Sequence, residues 1–205
     1  MVSSTARPVF VITGTSGEGK STLARRLAER VPELALAVSA TTRPRRPGEE
    51  DGRDYWFVSD DVFDRRLAEG GFLEHVELPW GKGYRSGTLW SELDRIVARG
   101  RSPLLEIETG GALAVRDRVP NSVVVFVTAP TAEELERRLR LRATESEGEI
   151  DERLDVAQRQ LALESEFHHT IVNDDLGRAL DELEELVRAE LRARGSIPAR
   201  DPSPH

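Results

Sequence analysis

VFVITGTSGEGKST, residues 9–22, changes character twice within one short stretch. Val9-Phe10-Val11-Ile12 is brief, apolar and rich in β-branched residues, which predicts a buried strand. Gly14 to Ser21 then fits G-x-x-x-x-G-K-[ST] without a mismatch. From Lys20 onward Leu23, Leu27 and Val31 fall on one helical face, and Pro32 stops the helix. A strand, a glycine-rich loop and a helix in that order form a nest for phosphates, because backbone N–H groups and the positive end of the helix converge there. Gly14, Gly17 and Gly19 let the backbone turn tightly, Lys20 has the reach for β and γ phosphates, and Ser21 supplies a hydroxyl for Mg²⁺. Gly14, Thr15, Ser16, Gly17, Glu18, Gly19, Lys20, Ser21 and Thr22 are therefore the expected triphosphate site.

Working outward, residues 34–90 differ in texture from the rest and have the size of an inserted lobe. They contain the turn-rich basic stretch TTRPRRPGEEDG, β-like DYWFV, a helix after Ser59 and β-like FLEHVEL. Trp90, Leu93 and Val97 then share a helical face that ends near Gly100. LLEIE, SVVVFV and HTIV read as strands separated by helical segments. Such alternation predicts an α/β fold with a parallel sheet flanked by helices. Thr131 and Glu134 form a capping-box signature for a helix running toward Arg142. The polar ATESEGE segment is read as a loop, followed by helices over about 150–163 and 176–191. One domain over residues 5–195 is expected, with core 5–33 and 91–195, lobe 34–90, lid about 140–152, and a proline-rich disordered tail at 196–205.

Composition removes several function classes. The net charge is −8 with 32% charged residues, which argues against a general nucleic-acid coat. The absence of cysteine excludes disulfides, thiolate metal sites and thiol nucleophiles. No apolar run approaches the roughly 20 residues of a membrane span, and MVSSTARPVF does not read as a secretory signal, so a cytoplasmic protein is expected. Of 29 basic residues only Lys20 and Lys82 are lysines. A lysine kept among so many arginines suits a site where a compact ammonium cannot be replaced by a planar fork. His168 and His169 are adjacent rather than i, i+4 and complete no metal-ligand pattern.

Ser39, Arg43, Arg46 and Tyr55 gather within VSATTRPRRPGEEDGRDYWFV, where two guanidinium forks and a phenol suit a dianionic phosphate. With GTSGEGKST, FLEHVE, LLEIE, RLRLRATES and IVNDDL in order, the chain from about Val9 to Val187 resembles the guanylate kinase family, among the P-loop nucleoside monophosphate kinases. The resemblance implies ATP as phosphoryl donor with Mg²⁺, and GMP or dGMP as acceptor. It implies that Arg43, Arg46, Tyr55 and Tyr84 hold the acceptor phosphate, that Glu74 accepts from guanine N1 and N2, and that Ser39 and Ser86 or Thr88 meet the base edge, Ser86 being favoured. Glu106 and Glu108, two apart on an expected strand, would point to one side near the acceptor phosphate and metal. Lys20, Arg43, Arg142 and Arg153 would carry catalysis, and Asn173 would approach the adenine. Arg138 would belong with Arg142 and Arg153 to the helix and lid that close over the transferring phosphoryl, the alternative for it being an ordinary solvated helical arginine.

The chain departs from the family in the lid, where Leu141 and Ala143 replace glycines, in the longer PWGKGYRSGT loop, and in Thr109-Gly110-Gly111, where V-Q-G is usual. Three readings stay open on the sequence: a GMP kinase, a related kinase with another small phosphorylated acceptor, and a non-catalytic binding module. Intact Lys20 and Ser21 weigh against the last. Oligomeric state is left undecided.

Overall fold

β1 (Val9–Gly14) is buried along its whole length, because it lies in the middle of the sheet with helices on both faces. The computed structural model describes residues 7–15, 18–77, 83–142 and 147–195. The expected tail, the first six residues, Ser16, Gly17, Lys82 and Ala143 lie outside these, as do the side chains of Arg142 and Arg153. After β1 come α1 (Lys20–Arg30), β2 (Leu34–Leu36), β3 (Ala40–Thr41), β4 (Trp56–Phe57), α2 (Asp60–Ala68), β5 (Phe72–Glu77), β6 (Arg85–Leu89) and α3 (Trp90–Val97). The chain continues through β7 (Ser102–Glu106), α4 (Thr109–Arg118), β8 (Ser122–Thr128), α5 (Ala132–Arg142), α6 (Glu147–Leu161), β9 (His169–Val172) and α7 (Leu176–Gly195).

The larger sheet has the order β2-β7-β1-β8-β9, and all four pairings are parallel. Alternation along β1 sends side chains to two cores. Phe10 and Ile12 pack with Leu23 and Leu27 of α1 and Leu180 and Leu183 of α7. Val9 and Val11 pack with Leu93 of α3 and Ala112 and Val115 of α4. Each face is a dry apolar layer, so the sheet edge where the strands end is the place left for polar chemistry.

A second sheet, β4-β3-β6-β5, has its own small core of Ala40, Phe63, Phe72 and Leu89. Leu73, also in β5, faces the other way and joins the core of the larger sheet beside α4. The second sheet is thereby seated against α4. The boundary read at residue 34 falls at β2, which pairs with β7 in the larger sheet, so the second sheet begins only at β3.

Several element readings shift. DYWFV supplies only the two-residue β4, whose partner β3 is itself two residues long; on the opposite edge Asp51 Oδ1 takes the Phe57 N–H at 2.9 Å. α6 begins at Glu147 rather than near residue 150, and α7 continues past Leu191 to Gly195. Half of the capping box forms: Glu134 N donates to Thr131 Oγ1 at 3.2 Å, while the Glu134 carboxylate accepts from Arg137 and Arg138. His168 Nδ1 accepts from Val124 N at 3.2 Å, so this histidine closes a sheet amide, and its burial lowers its pKa.

Candidate active site

The phosphate loop forms where β1 ends. Gly14 has φ +137° and its backbone crosses β8 so closely that an added Cβ would lie 2.0 Å from Val127 O. Only glycine fits there. Gly19 has φ +75° and is the N-cap of α1 with no side-chain cap, so the first amides of α1 are left to an outside anion. Lys20 is buried and spans the loop, its Nζ donating to Gly14 O at 2.9 Å and Thr15 O at 2.6 Å. The ammonium is thus held in place by the loop it serves.

Two contacts brace this loop from behind. Asn173 Nδ2 donates to Glu18 O at 2.6 Å, so the residue expected near adenine is committed to the loop backbone through its amide nitrogen. The Glu18 side chain is buried and takes Arg138 Nη1 at 3.0 Å. Burial raises the Glu18 pKa, and the charges of Arg138 and Lys20 oppose the shift. Arg138 is also held by Glu134 Oε1 at 2.8 Å, so it ties α5 to the loop and the solvated alternative does not hold. Nothing in a helical charge pattern marks the distant partner.

Ser21 Oγ donates to Glu106 Oε2 at 3.0 Å, joining the start of α1 to the end of β7. Glu106 lines two adjoining pockets, one with Ser21, Arg25 and Asp54, the other with Glu74, Ser86 and Glu108; Ser39 and Tyr55 line both. β7 ends at Glu106, two residues short of the expected strand end, and Glu108 is the N-cap of α4. Ile107 N still donates to Ile12 O of β1 at 3.2 Å and Glu108 keeps an extended backbone, so the two glutamates, two apart, line one pocket.

Glu74 is the most deeply placed acid in the second pocket, at 3% exposure, and burial raises its pKa. Its Oε1 accepts from Thr88 N at 2.8 Å across the β5–β6 pairing. Ser86 lines the pocket and donates to Ala40 O at 3.1 Å, whereas Thr88 is fully buried and absent from the lining. Sequence reasoning passed over the role of Gly111. An added Cβ there would lie 2.6 Å from Glu74 Oε2, so the first turn of α4 approaches the carboxylate as closely as a glycine permits. Gly111→Ala is expected to raise KM for the acceptor about 10-fold while leaving KM for the donor unchanged, because it displaces the carboxylate without reaching the phosphate loop. Steady-state kinetics with each substrate varied in turn checks this.

The basic loop is closed on itself. Arg43 Nη1 and Nη2 donate to Glu49 at 2.9 and 2.8 Å, and Arg46 N donates to Glu49 Oε2 at 2.7 Å. Glu49 raises the Arg43 pKa, and its own is lowered by the same contact. The Arg43 guanidinium lies 5.1 Å from the Tyr55 ring centroid. Burial and then the Glu106 charge raise the Tyr55 pKa. The Arg46 side chain is exposed, and Tyr84 is half-buried outside the lining of both pockets.

A phosphate loop and a carboxylate-lined pocket that share one wall define a P-loop phosphotransferase of the nucleotide kinase class. The chain belongs to the guanylate kinase family: a protein-family model described as guanylate kinase matches residues 5–190. It is 46% identical over 180 residues to the guanylate kinase of Rubrobacter xylanophilus, covering 88% of this chain and 93% of that one. It is 48% identical over 184 residues to the guanylate kinase of Synechococcus sp. (strain CC9311), covering 90% and 95%. The crystal structure of guanylate kinase from Anaplasma phagocytophilum superposes with a TM-score of 0.72 at 28% identity, covering 95% of this chain and 97% of that one.

Proposed function

We propose that the protein transfers the γ-phosphoryl of Mg-ATP to GMP, or dGMP, giving ADP and GDP. The observation that carries the proposal is the position of Glu106, bonded to Ser21 of the phosphate loop on one side and lining the Glu74 pocket on the other. Donor and acceptor sites meet there. Arg43, Arg46, Tyr55 and Tyr84 are proposed for the acceptor phosphate, which must displace or share the Glu49 carboxylate to engage the Arg43 fork. Glu74, with Ser39 and Ser86 nearby, is proposed to read guanine, whose N1–H and N2–H donors match a carboxylate. Lys20, Arg43, Arg142 and Arg153 remain the proposed catalytic cations.

Ser21 and Glu106 fit Mg²⁺: both offer hard oxygen donors, 3.0 Å apart beside the phosphate loop, and this cation commonly keeps water and substrate phosphates as its other ligands. When bound, Mg²⁺ neutralises charge on the donor phosphates. An acceptor phosphate oxygen attacks the γ-phosphorus in line, and the bond to the bridging oxygen of ADP breaks. No general base is needed, since a phosphate monoester with a second pKa near ~6 is mostly ionised at neutral pH. Lys20 stabilises charge developing on the transferring group, and the pocket walls exclude water as a rival acceptor.

A core that includes β2, an acceptor lobe running from β3 to residue 90, the remaining core over 91–195 and a lid over 140–152 belong to the same proposal. So does a cytoplasmic setting; among the described residues no helix is long and apolar enough to cross a membrane. A coupled assay of ADP formation with ATP, with and without Mg²⁺, across GMP, dGMP, AMP, CMP and UMP tests the reading. GMP and dGMP are expected to dominate. Transfer to another monophosphate in preference to GMP overturns it.

A further inference from the structure

Gln160 is a polar residue in an apolar place. It lies one residue before the end of α6, between buried Ala157 and the partly buried Leu161, and is itself only 6% exposed. Its Nε2 donates to Glu108 Oε2 at 2.8 Å, and its Oε1 is buried without a partner among the described residues. An unpaired buried carbonyl is unfavourable, so stability alone would favour leucine or methionine at this position. The bond to Glu108 is what the amide provides.

Glu108 needs such a bond. It is the N-cap of α4, yet its side chain makes no cap hydrogen bond, so its own helix does not fix it. It shares a pocket with Glu74 and Glu106, and three carboxylates lining one pocket repel one another. An arginine or lysine partner would hold Glu108 but cancel the charge that attracts N–H donors. A neutral amide holds the carboxylate and leaves its charge available.

We propose that Gln160 is a positioning residue for the acceptor: its amide fixes the Glu108 carboxylate in the pocket so that the remaining oxygen meets hydrogen-bond donors of the acceptor nucleotide. The inference rests on the proposed GMP kinase reading and extends it to a residue on α6, outside the lobe that supplies most of the pocket. Lacking direct contact, Gln160 acts only through Glu108.

The test is a double-mutant cycle of Gln160→Met and Glu108→Gln, with KM for GMP, KM for ATP and kcat measured for each protein. Methionine keeps the volume and the apolar stem and removes the donor. In the parent background Gln160→Met is expected to raise KM for GMP about 10-fold, with KM for ATP within about 2-fold and an unchanged or higher Tm. In the Glu108→Gln background the same substitution is expected to add less than about 2-fold. Gln160→Ala, which leaves room for water, serves if the methionine protein does not fold. Equal effects in both backgrounds, a matching rise in KM for ATP, or no effect in a folded variant overturns the inference. A parent that turns over GMP while the variants fail these tests leaves the functional reading standing; a parent with no transfer to GMP overturns both.

Discussion

Lys20→Ala is expected to lower kcat/KM by about 10³-fold or more, since an electrostatic contact to the transferring group in a preorganised site has effects of that order. The ammonium is buried and bonded to Gly14 O and Thr15 O, so its position is set before any ligand arrives. Removing it takes away a positive charge and two contacts that shape the loop. Lys20→Arg is expected to fail nearly as badly. The planar fork is larger than the space between two carbonyls 2.9 and 2.6 Å from Nζ, and it cannot present a point charge there. Single-turnover measurements with saturating ATP and GMP, alongside circular dichroism to verify the fold, separate lost chemistry from lost structure. Turnover within a few-fold of the parent for either variant would overturn the assignment.

Glu74→Gln is expected to reduce the preference for GMP over AMP about 10- to 100-fold, corresponding to the roughly 1–3 kcal/mol of a mispaired buried polar group. The amide can still accept from Thr88 N through one oxygen, but it turns a donor toward guanine's own donors. The same substitution is expected to raise stability of the free protein at pH 7. Burial lifts the Glu74 pKa, so between the ordinary carboxyl value and the raised one the folded chain holds more protons than the unfolded chain. Stability from this group is therefore present at low pH and lost as pH rises through the raised pKa. The neutral amide carries no such loss. GMP affinity should move the opposite way, weakening as pH falls through that pKa and the carboxylate becomes a donor. Tm and GMP binding from pH 5 to 8 for parent and variant would check both slopes. A destabilised variant with unchanged selectivity would contradict the role given to Glu74.

The phosphate loop was legible because its chemistry is local: glycine freedom, a helix start and one lysine occupy adjacent positions. The parallel sheet was legible from alternation of apolar strands and helices. The end of β7 was misjudged because LLEIE has strand composition throughout, whereas Glu108 already caps α4; its extended backbone still brings it to the pocket of Glu106. Gly111 showed only as part of a motif variant, since its neighbour Glu74 comes from β5 and their closeness is a matter of packing. Glu49 went unremarked among many surface acids. Its pairing with Arg43 depends on how the loop folds back, which charge spacing does not encode. A glutamine three residues after Ala157 on the apolar side of a helix was a readable anomaly, but its partner was not.

The two sheets differ in how far the chain must travel to close them. The smaller one is built from neighbours: β5 and β6 form an antiparallel pair between Phe72 and Leu89, and β3 joins them from Ala40. β1, by contrast, finds its partners only at Leu104 and Ser122. During synthesis the first strand must therefore wait, with both of its edges unpaired, until β7 and β8 have emerged. The loop that grips the donor is encoded near the amino terminus, yet the strands flanking it arrive late. The acceptor side has a head start on the ribosome, and premature termination before Ser122 would leave that sheet resting on a core that lacks Val124, Phe126 and Phe167.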